Sequence, residues 1–343
     1  MATIRDVATR AGVAPSSVTR VLSGHPNVSV ELRERVLAAV KEVGYKPDLV
    51  AAGLRRGYTQ TVGVIVNDVL NPVVAQMIDV VESEFRRAGY GVILANSHGQ
   101  SDNDIENVRL LHQRRVDALL AAFSDDTNPE LVTALSALPI PVVLLDREVE
   151  SNEFSAVVSD HGMGAQMLAE HLVDRGHREI GVISGSLTAY PSRSRVRGLS
   201  ETLARLGAPL RPEFILAGRG SMEFGIESVG RLMDDPHPPT AIVIGNGNTA
   251  AIAGVIGELR RRGVRVGEDI ALAASEDGPL LALHTPGITA MARDVEDLAR
   301  RAATIVLNLL DNKKPAVHTV VLPTRLIVRP STDWKAPSAV RAS

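Results

Sequence analysis

Apolar and polar positions follow two different rhythms along this chain. From residue 3 to about residue 44 apolar residues recur every three or four positions, as they do in amphipathic helices. From Thr61 onward, short apolar runs of four to six residues alternate with longer amphipathic stretches. The first rhythm predicts a small all-helical head, and the second is typical of parallel sheets with helices on both faces.

The start of the head carries local signals for a helix and a tight turn. The Thr3 hydroxyl can cap a first helix, and Asp6 follows at the spacing of a capping box. This helix should run to about Ala11. Gly12 then allows the left-handed backbone of a tight turn.

Two further helices complete the predicted head. Pro15 suits the first turn of a second helix that ends near Leu22. The third is capped by Ser29 and ends before Gly44, which can serve as its left-handed terminal residue. The third helix runs through Val36, Leu37, Val40 and Val43. The apolar positions of the first two helices expected to face inward, with Gly12 at their crossing, are Ile4, Val7, Ala8, Ala11, Val13, Val18 and Val21.

Two helices joined by so short a turn match the helix-turn-helix of DNA-binding proteins. The spacing alone also fits an ordinary helical hairpin in a core. Charge adds a weak argument for DNA, because the first 60 residues hold nine basic and five acidic residues, a net charge of +4. Since the whole chain carries −3, the remainder carries −7, so a polyanionic partner is expected for the head alone.

The remainder of the chain predicts two lobes of the same α/β architecture. The first set of apolar runs is 61–66, 92–95, 118–122 and 142–145; the second is 180–184, 214–217, 241–244 and 270–274. Parallel sheets of this kind bind ligands beyond the carboxyl ends of their strands. Two facing lobes should therefore form a ligand-binding cleft between them.

The residues of the head and several later segments closely resemble the LacI/GalR family of transcriptional regulators. The matching segments cover nearly the whole chain: TIRDVATRAGVAPSSVTRVL (3–22), VSVELRERVLAAVKEVGYKPDLVAAGLRRGYTQTVGVIV (28–66), Asn71-Pro72, HLVDRGHREIGVISG (171–185) and VLPTRLIVRPST (321–332). The resemblance implies a helix-turn-helix head and a body like that of periplasmic binding proteins.

For the head, the resemblance implies that the second helix enters the major groove of DNA. Pro15 and Ser16 would open this recognition helix, with Arg20 further along as a donor to guanine or phosphate. The candidate DNA-contacting residues of the head are Thr3, Pro15, Ser16, Ser17, Thr19 and Arg20.

Between head and body, residues 47–60 are expected to form a hinge. In similar repressors this segment becomes helical on DNA and wedges a leucine into the minor groove, and Leu54 and Arg55 occupy the matching positions. Gly53 weakens such a helix by about 1 kcal/mol relative to alanine, although Asp48 can cap it. A basic linker without a wedge is the alternative interpretation.

For the body, family positions just past the strand ends predict the ligand-binding residues. Arg195 is foremost among them, because its planar fork can hold neighbouring hydroxyls or a carboxylate. Val73 and Met222 stand where aromatic residues are common, and Glu276 replaces the usual aspartate. We expect a small polar ligand with hydroxyls, a sugar or a derivative, bound by Asn71, Val73, Phe123, Arg195, Met222, Asn246 and Glu276.

These expectations combine into a repressor whose operator affinity is controlled by its ligand. The expected domains are a head (1–46), a hinge (47–60), a body (61–333) and a flexible tail (334–343). Lobe one spans about 61–160 and 291–320, and lobe two about 161–290 and 321–333. A homodimer is expected on a palindromic operator, and a tail without a leucine heptad predicts no tetramer-forming coiled coil.

An enzyme and a transport-binding protein are the two alternative classes of protein. Gly245 to Ala250, with Asp269 about twenty residues on, imitates a dinucleotide-binding fingerprint, but Asn246 already has a role in the cleft. No esterase elbow, zinc-protease motif or P-loop occurs, so an enzyme, a cofactor and a metal are not expected. A transport-binding protein would need a signal peptide and no DNA-binding head. The absence of cysteine and of a long apolar run predicts a cytoplasmic protein that does not enter a membrane.

Overall fold

The computed structural model describes residues 2–22, 25–45, 57–245, 247–311 and 317–333. The chain divides into two compact units, Met1–Thr59 and Gln60–Ser343. This division falls inside the predicted hinge. The first unit contains the helical head, and the second contains the α/β body.

The three predicted helices of the head are confirmed. They are α1 (Ile4–Ala11), α2 (Pro15–Leu22) and α3 (Val30–Val43). The Thr3 side chain and the Asp6 carboxylate form the reciprocal bonds of a capping box, and the Ser29 hydroxyl accepts from the Leu32 amide at 3.3 Å. These local bonds satisfy backbone donors that a helix start leaves unpaired.

Gly12 is required for its backbone conformation and not for close packing. Its φ is 65°, in the left-handed region, and a Cβ added there would meet nothing within 4 Å. Gly12 is therefore not the small residue that close packing of α1 and α2 would require. The tight turn itself, where most L-residues are strained, sets the need for glycine.

The core of the head closely follows the predicted apolar pattern. Its buried members are Val7, Ala8, Ala11, Val18, Val21, Val36 and Ala39. Leu37 lies outside this core, with 49% of its surface exposed. Its neighbour Val36 takes the inward position on α3, so Leu37 points to the outside of the helix.

The body contains nine further helices and twelve strands among the described residues. The helices are α4 (Pro72–Arg87), α5 (Ser101–Gln113), α6 (Pro129–Ser136), α7 (His161–Asp174), α8 (Tyr190–Arg205), α9 (Met222–Met233), α10 (Thr249–Arg261), α11 (Pro279–Leu283) and α12 (Val295–Leu310). The strands are β1 (Thr61–Val66), β2 (Gly91–Asn96), β3 (Ala118–Ala122), β4 (Val142–Leu145), β5 (Ser155–Ser159), β6 (Ile180–Ser184), β7 (Ile215–Ala217), β8 (Ala241–Gly245), β9 (Ala271–Ala274), β10 (Thr289–Arg293), β11 (Thr319–Leu322) and β12 (Thr324–Ile327).

The strands form two six-stranded sheets, one in each lobe. Lobe one has the order β11-β5-β4-β3-β1-β2, and all its pairs are parallel. Lobe two has the order β12-β10-β9-β8-β6-β7, with an antiparallel pair between β10 and β12. The two lobes of the predicted fold class are thus present, and helices cover both faces of each sheet around separate apolar cores.

All eight predicted strands are present, but four strands were not predicted. β10, β11 and β12 contain polar or exposed positions, and β5 begins and ends with serine, so their apolar runs are short. Among the described residues, the chain passes between the lobes at 160, 294 and 323. The predicted boundaries at 290 and 320 fall three residues earlier, because β10 and β11 lie whole within their sheets.

Within the described ranges, no helix combines the length and the apolar character needed to cross a bilayer.

Candidate ligand cleft and DNA-binding surface

The predicted recognition residues lie at the start of α2. Pro15 is the first residue of this helix, and Ser16 and Arg20 are exposed. Ser17 is half-buried, and the Thr19 hydroxyl donates to the Pro15 carbonyl at 3.1 Å. Val18 and Val21 are buried on the opposite side of the helix, so the apolar side fixes which residues face outward.

The other three predicted DNA-contacting residues are Thr3, Leu54 and Arg55. Thr3 is exposed, but its hydroxyl donates to the Asp6 carboxylate at 2.9 Å and caps α1. Leu54 and Arg55 lie outside the described residues. The wedge in the minor groove therefore stays a prediction.

In the body, a cavity of about 510 Å³ lies between the two lobes. It is lined where strands of both sheets end, as expected for parallel sheets. The lining polar residues are Asn67, Asp68, Asn71, Ser124, Asp146, Arg147, Ser186, Thr188, Ser192, Arg195, Arg219, Asn248, Glu276 and Arg293.

Arg293 joins the two lobes at the floor of this cavity. Its Nη1 donates to the Asp146 carboxylate of lobe one at 2.5 Å. Its Nε and Nη2 donate to the two Glu276 oxygens of lobe two at 2.8 and 2.9 Å. Because all three side chains are at least nine-tenths buried, this ion-paired group is shielded from solvent.

Arg195 completes the ion-paired floor from α8. Its Nη2 donates to Glu276 at 3.0 Å, and its Nη1 lies 3.4 Å from the Gly245 carbonyl oxygen. The Arg195 Nε is buried and meets no hydrogen-bond acceptor among the described residues. The pair therefore combines a partly unsatisfied donor with a charged acceptor beside the cavity.

Burial and ion pairing act in opposite directions on these groups. Burial raises the pKa of the Glu276 carboxyl, but Arg293 and Arg195 outweigh it and hold that pKa below its usual range. Burial likewise raises the pKa of Asp146. Arg293 and His161 lower it by more, so the pKa of Asp146 lies well below its usual value. Both carboxylates are therefore charged at neutral pH.

His161 lies behind this floor as the first residue of α7. Its Nε2 is 3.0 Å from Asp146 Oδ1, and the ring is fully buried with its edge against Tyr190. Burial lowers the pKa of His161 to about 4, although Asp146 opposes this shift. The ring is thus neutral at physiological pH, with the Nε2 proton donated to the carboxylate.

Further contacts join the lobes around the cavity. The Asn248 amide donates to Asp68 Oδ2 at 3.1 Å. Asp126 of lobe one accepts from the Tyr190 amide at 2.8 Å and pairs with Arg193 at 2.9 Å. These bonds connect the two lobes around the cavity.

Several predicted ligand residues line the cavity. They are Asn71, Val73, Arg195 and Glu276. The Asn71 side chain also caps α4 by accepting from the Val73 amide at 3.0 Å. Asn246 lies outside the described residues.

Phe123 and Met222 do not line the cavity, contrary to expectation. Phe123 is fully buried in lobe one, because successive residues of an extended strand point to opposite sides and Ala122 and Ser124 take the cleft side. Met222 is the first residue of α9 and 47% exposed. The loop 218–220 before it fills the cleft position instead.

Sequence reasoning missed several polar residues of the cleft, the charged Asp146, Arg147 and Arg293 and the neutral Asn248. Asp146 directly follows the apolar run 142–145, so the same strand-end rule could have found it. Arg293 ends β10, a strand that the apolar pattern did not reveal. Its pairing with Asp146 spans 147 residues of sequence, and no local signal foretells it.

Comparison with known proteins matches both units of this chain. Residues 3–48 match the family described as bacterial regulatory proteins of the lacI family, and residues 169–332 match a periplasmic binding protein-like domain. Catabolite control protein A of Priestia megaterium is 30% identical, over 96% of this chain and 99% of its own. The HTH-type transcriptional repressor PurR of Haemophilus influenzae is 31% identical, over 96% and 98%.

Solved structures agree with this likeness. A Lac repressor dimer bound to operator and the anti-inducer ONPF has a TM-score of 0.83 at 25% identity, covering 96% of this chain and 99% of that one. A complex of the transcriptional regulator CelR with cellobiose has a TM-score of 0.72 at 25% identity, covering 96% and 100%.

Proposed function

Since the chain belongs to the lacI family of bacterial regulatory proteins, we propose that it is a repressor whose affinity for one operator sequence depends on a small polar ligand held between its lobes. The observation that carries the proposal is the ion-paired group of Arg195, Glu276, Arg293 and Asp146 on the floor of the cleft. It links the ligand cavity to the contact between the lobes.

The head supplies the DNA contacts in this proposal. Ser16 and Arg20 face outward from α2, while a buried apolar side holds the helix on α1 and α3. Arginine reads guanine through two parallel hydrogen bonds, and short hydroxyl side chains hold phosphates. Leu54 and Arg55 would add minor-groove contacts at the centre of a palindrome.

The cleft supplies the ligand contacts. Asn71, Arg195 and Glu276 offer both donors and acceptors within a cavity of about 510 Å³, a size that suits a small hydroxylated molecule. No aromatic side chain of a described residue lines it, so hydrogen bonding would dominate over ring stacking. The relative CelR was solved with cellobiose, which supports a sugar or a sugar derivative.

Ligand and operator would act on each other through the lobe arrangement. A ligand that changes the Arg293–Asp146 or Asn248–Asp68 contacts shifts the balance between closed and open lobes. Coupling of this kind is typically worth about 1–3 kcal/mol and is equal in both directions. A homodimer would place two heads on a palindromic operator, as the Lac repressor dimer does on its own operator.

The relatives named above are transcriptional regulators, not enzymes, and the resemblance of residues 245–250 to a dinucleotide fingerprint has another explanation. Gly245, Gly247 and Asn248 line the cleft, and Asn248 bonds Asp68 across it. We therefore propose no catalytic role, and a cytoplasmic location, where bacterial DNA lies.

Selection of bound DNA from a random library with the full chain tests this function. We expect a palindrome with a central pyrimidine–purine step, and its loss with Leu54→Ala. Leu110→Ala, which removes a partly exposed leucine on α5, is the matched control and should select the same palindrome. Binding that depends on salt but not on sequence would contradict the proposal.

A further inference from the structure

One end of the cleft differs from its ion-paired floor in having an arginine with no carboxylate partner among the described residues. There the loops 185–189 and 218–220 run side by side, because β6 and β7 are neighbours and the Gly218 amide donates to the Ser184 carbonyl. Arg219 projects from the second loop and lines the cavity. It is exposed, and no carboxylate of a described residue lies within 4.0 Å of its guanidinium.

Backbone amides at the start of α8 are further hydrogen-bond donors at this end of the cleft. This 16-residue helix has no side-chain cap at Ala189. The Tyr190 amide bonds Asp126, Pro191 has no amide hydrogen, and the Ser192 amide has no acceptor among the described residues. Together with the positive end of the helix dipole, such amides favour an anion.

The Ser124 side chain provides an independent observation. Ser124 lines the cavity two residues before Asp126, whose amide donates to the Thr188 carbonyl at 3.1 Å just before α8 begins. The Ser124 hydroxyl is buried in a residue 7% exposed and has no partner among the described residues.

The carboxylates of the cavity are already engaged elsewhere. Glu276 and Asp146 bind arginines at the floor, and Asp68 accepts from Asn248. Asp126 pairs with Arg193 and with the Tyr190 amide. An anionic group at the Arg219 end would therefore meet donors and compensate the charge of Arg219, whereas a neutral hydroxyl could accept a hydrogen bond but would leave that charge uncompensated.

Resting on the proposed function, we propose that the ligand carries an anionic oxygen group, a phosphate ester or a carboxylate, bound between Arg219, the start of α8 and the Ser124 hydroxyl. The hydroxylated part of the same molecule lies toward Arg195 and Glu276. The class of ligand is thus a sugar phosphate or a sugar acid and not a neutral sugar.

The test separates charged from neutral metabolites. A small-molecule extract of the cells that carry the gene, grown on several carbon sources, is split on an anion-exchange resin. Each fraction is added to the full chain, and its melting temperature and its affinity for the selected operator are measured. We expect the retained fraction to change both, and the flow-through to change neither.

Two variants then test whether the retained fraction acts at Arg219. Arg219→Gln should raise the concentration of retained fraction needed by about tenfold or more, the loss of one charge-assisted contact. Arg231→Gln removes a charge from an exposed site on α9 outside the cleft and should leave the response unchanged. Phosphatase treatment of the retained fraction abolishes the response of a phosphate ester and spares that of a carboxylate.

The failures are distinguishable. A response to the neutral fraction alone would overturn the anionic ligand and leave the ligand-controlled repressor standing. A response to the retained fraction that Arg219→Gln does not weaken would overturn the assigned site. No response to either fraction would overturn both this inference and the ligand control proposed above.

Discussion

The head and the cleft floor place their functional side chains in opposite environments, exposed in the head and buried in the cleft floor. The head buries a small set of aliphatic residues and leaves its functional side chains outside, on a helix whose ends are fixed by neighbouring residues. The cleft floor buries its functional side chains and neutralises them with partners from distant segments. A surface site can therefore depend on local sequence, whereas a buried charged site depends on the whole fold.

The largest expected effect comes from breaking the buried ion pairs. Asp146→Ala removes the lobe-one partner of Arg293 and leaves a buried guanidinium short of one anion. We expect a loss of about 3–5 kcal/mol in the free energy of unfolding of the body, measured in urea. Asp79→Ala, at an exposed position on α4, should change it by less than about 0.5 kcal/mol. A similar small change for both variants would mean that the buried pair is dispensable.

The pH dependence of the unfolding free energy tests the buried cleft floor through His161. Its folded pKa is about 4, against an ordinary value of 6.5, so the unfolded chain takes up this proton at higher pH than the folded chain. The stability from this group is complete above pH 6.5 and falls as pH drops from 6.5 towards 4, by up to about 1.4 kcal/mol per pH unit.

Urea unfolding between pH 7 and 4.5 measures this slope. The slope of the unfolding free energy against pH should be smaller in His161→Gln. It should be unchanged in His112→Gln, at an exposed position on α5. An unchanged slope in His161→Gln would show that other groups control the acid response.

On the head, Arg20→Ala tests whether one exposed side chain carries specificity. If Arg20 pairs with guanine, its removal should cost about 1–3 kcal/mol of operator binding and relax the base preference at one position in each half-site. Fluorescence anisotropy with operator and scrambled DNA measures both quantities. An equal loss on both DNAs would instead make Arg20 a phosphate contact.

The smallest effect concerns the turn of the head. Gly12→Ala puts a Cβ into a left-handed turn that has open space, so the loss of about 1–2 kcal/mol is purely conformational. Gly12→Asn should lose less. Gly257→Ala, in the interior of α10 with equally open surroundings, should stabilise the body by about 0.4–1 kcal/mol.

Hydrogen exchange measured by mass spectrometry follows the head and body peptides separately. Equal protection of the head in Gly12→Ala and in the unmodified chain would contradict a conformational need for glycine.

Sequence reasoning predicted the head almost completely, since caps, turns and helical periodicity are local properties. Thr3, Ser29 and Gly44 perform the capping roles expected of them. In the body, the eight strands with continuous apolar runs were predicted, but β10 and β12 were not, because each begins with threonine and contains an arginine. Missing β10 meant missing Arg293, the residue that joins the two lobes.

The cleft prediction failed where pointing direction mattered. Position along the chain correctly brought Asn71, Val73, Arg195 and Glu276 to the cavity. It could not tell that Phe123 points into the core of lobe one or that Met222 begins a helix beyond the loop. These outcomes depend on the pleat of β3 and on where α9 starts, and both are set by tertiary packing.

The most direct test of the central claim is the reciprocal coupling between ligand and operator. Calorimetry measures ligand affinity with and without the selected operator, and anisotropy measures operator affinity with and without the ligand, for the full chain and for Arg195→Ala. We predict one shared factor of about 5–150, in the same direction in both experiments, and its loss together with ligand binding in the variant. Operator affinity that is unchanged by a ligand bound in the cleft would contradict the account.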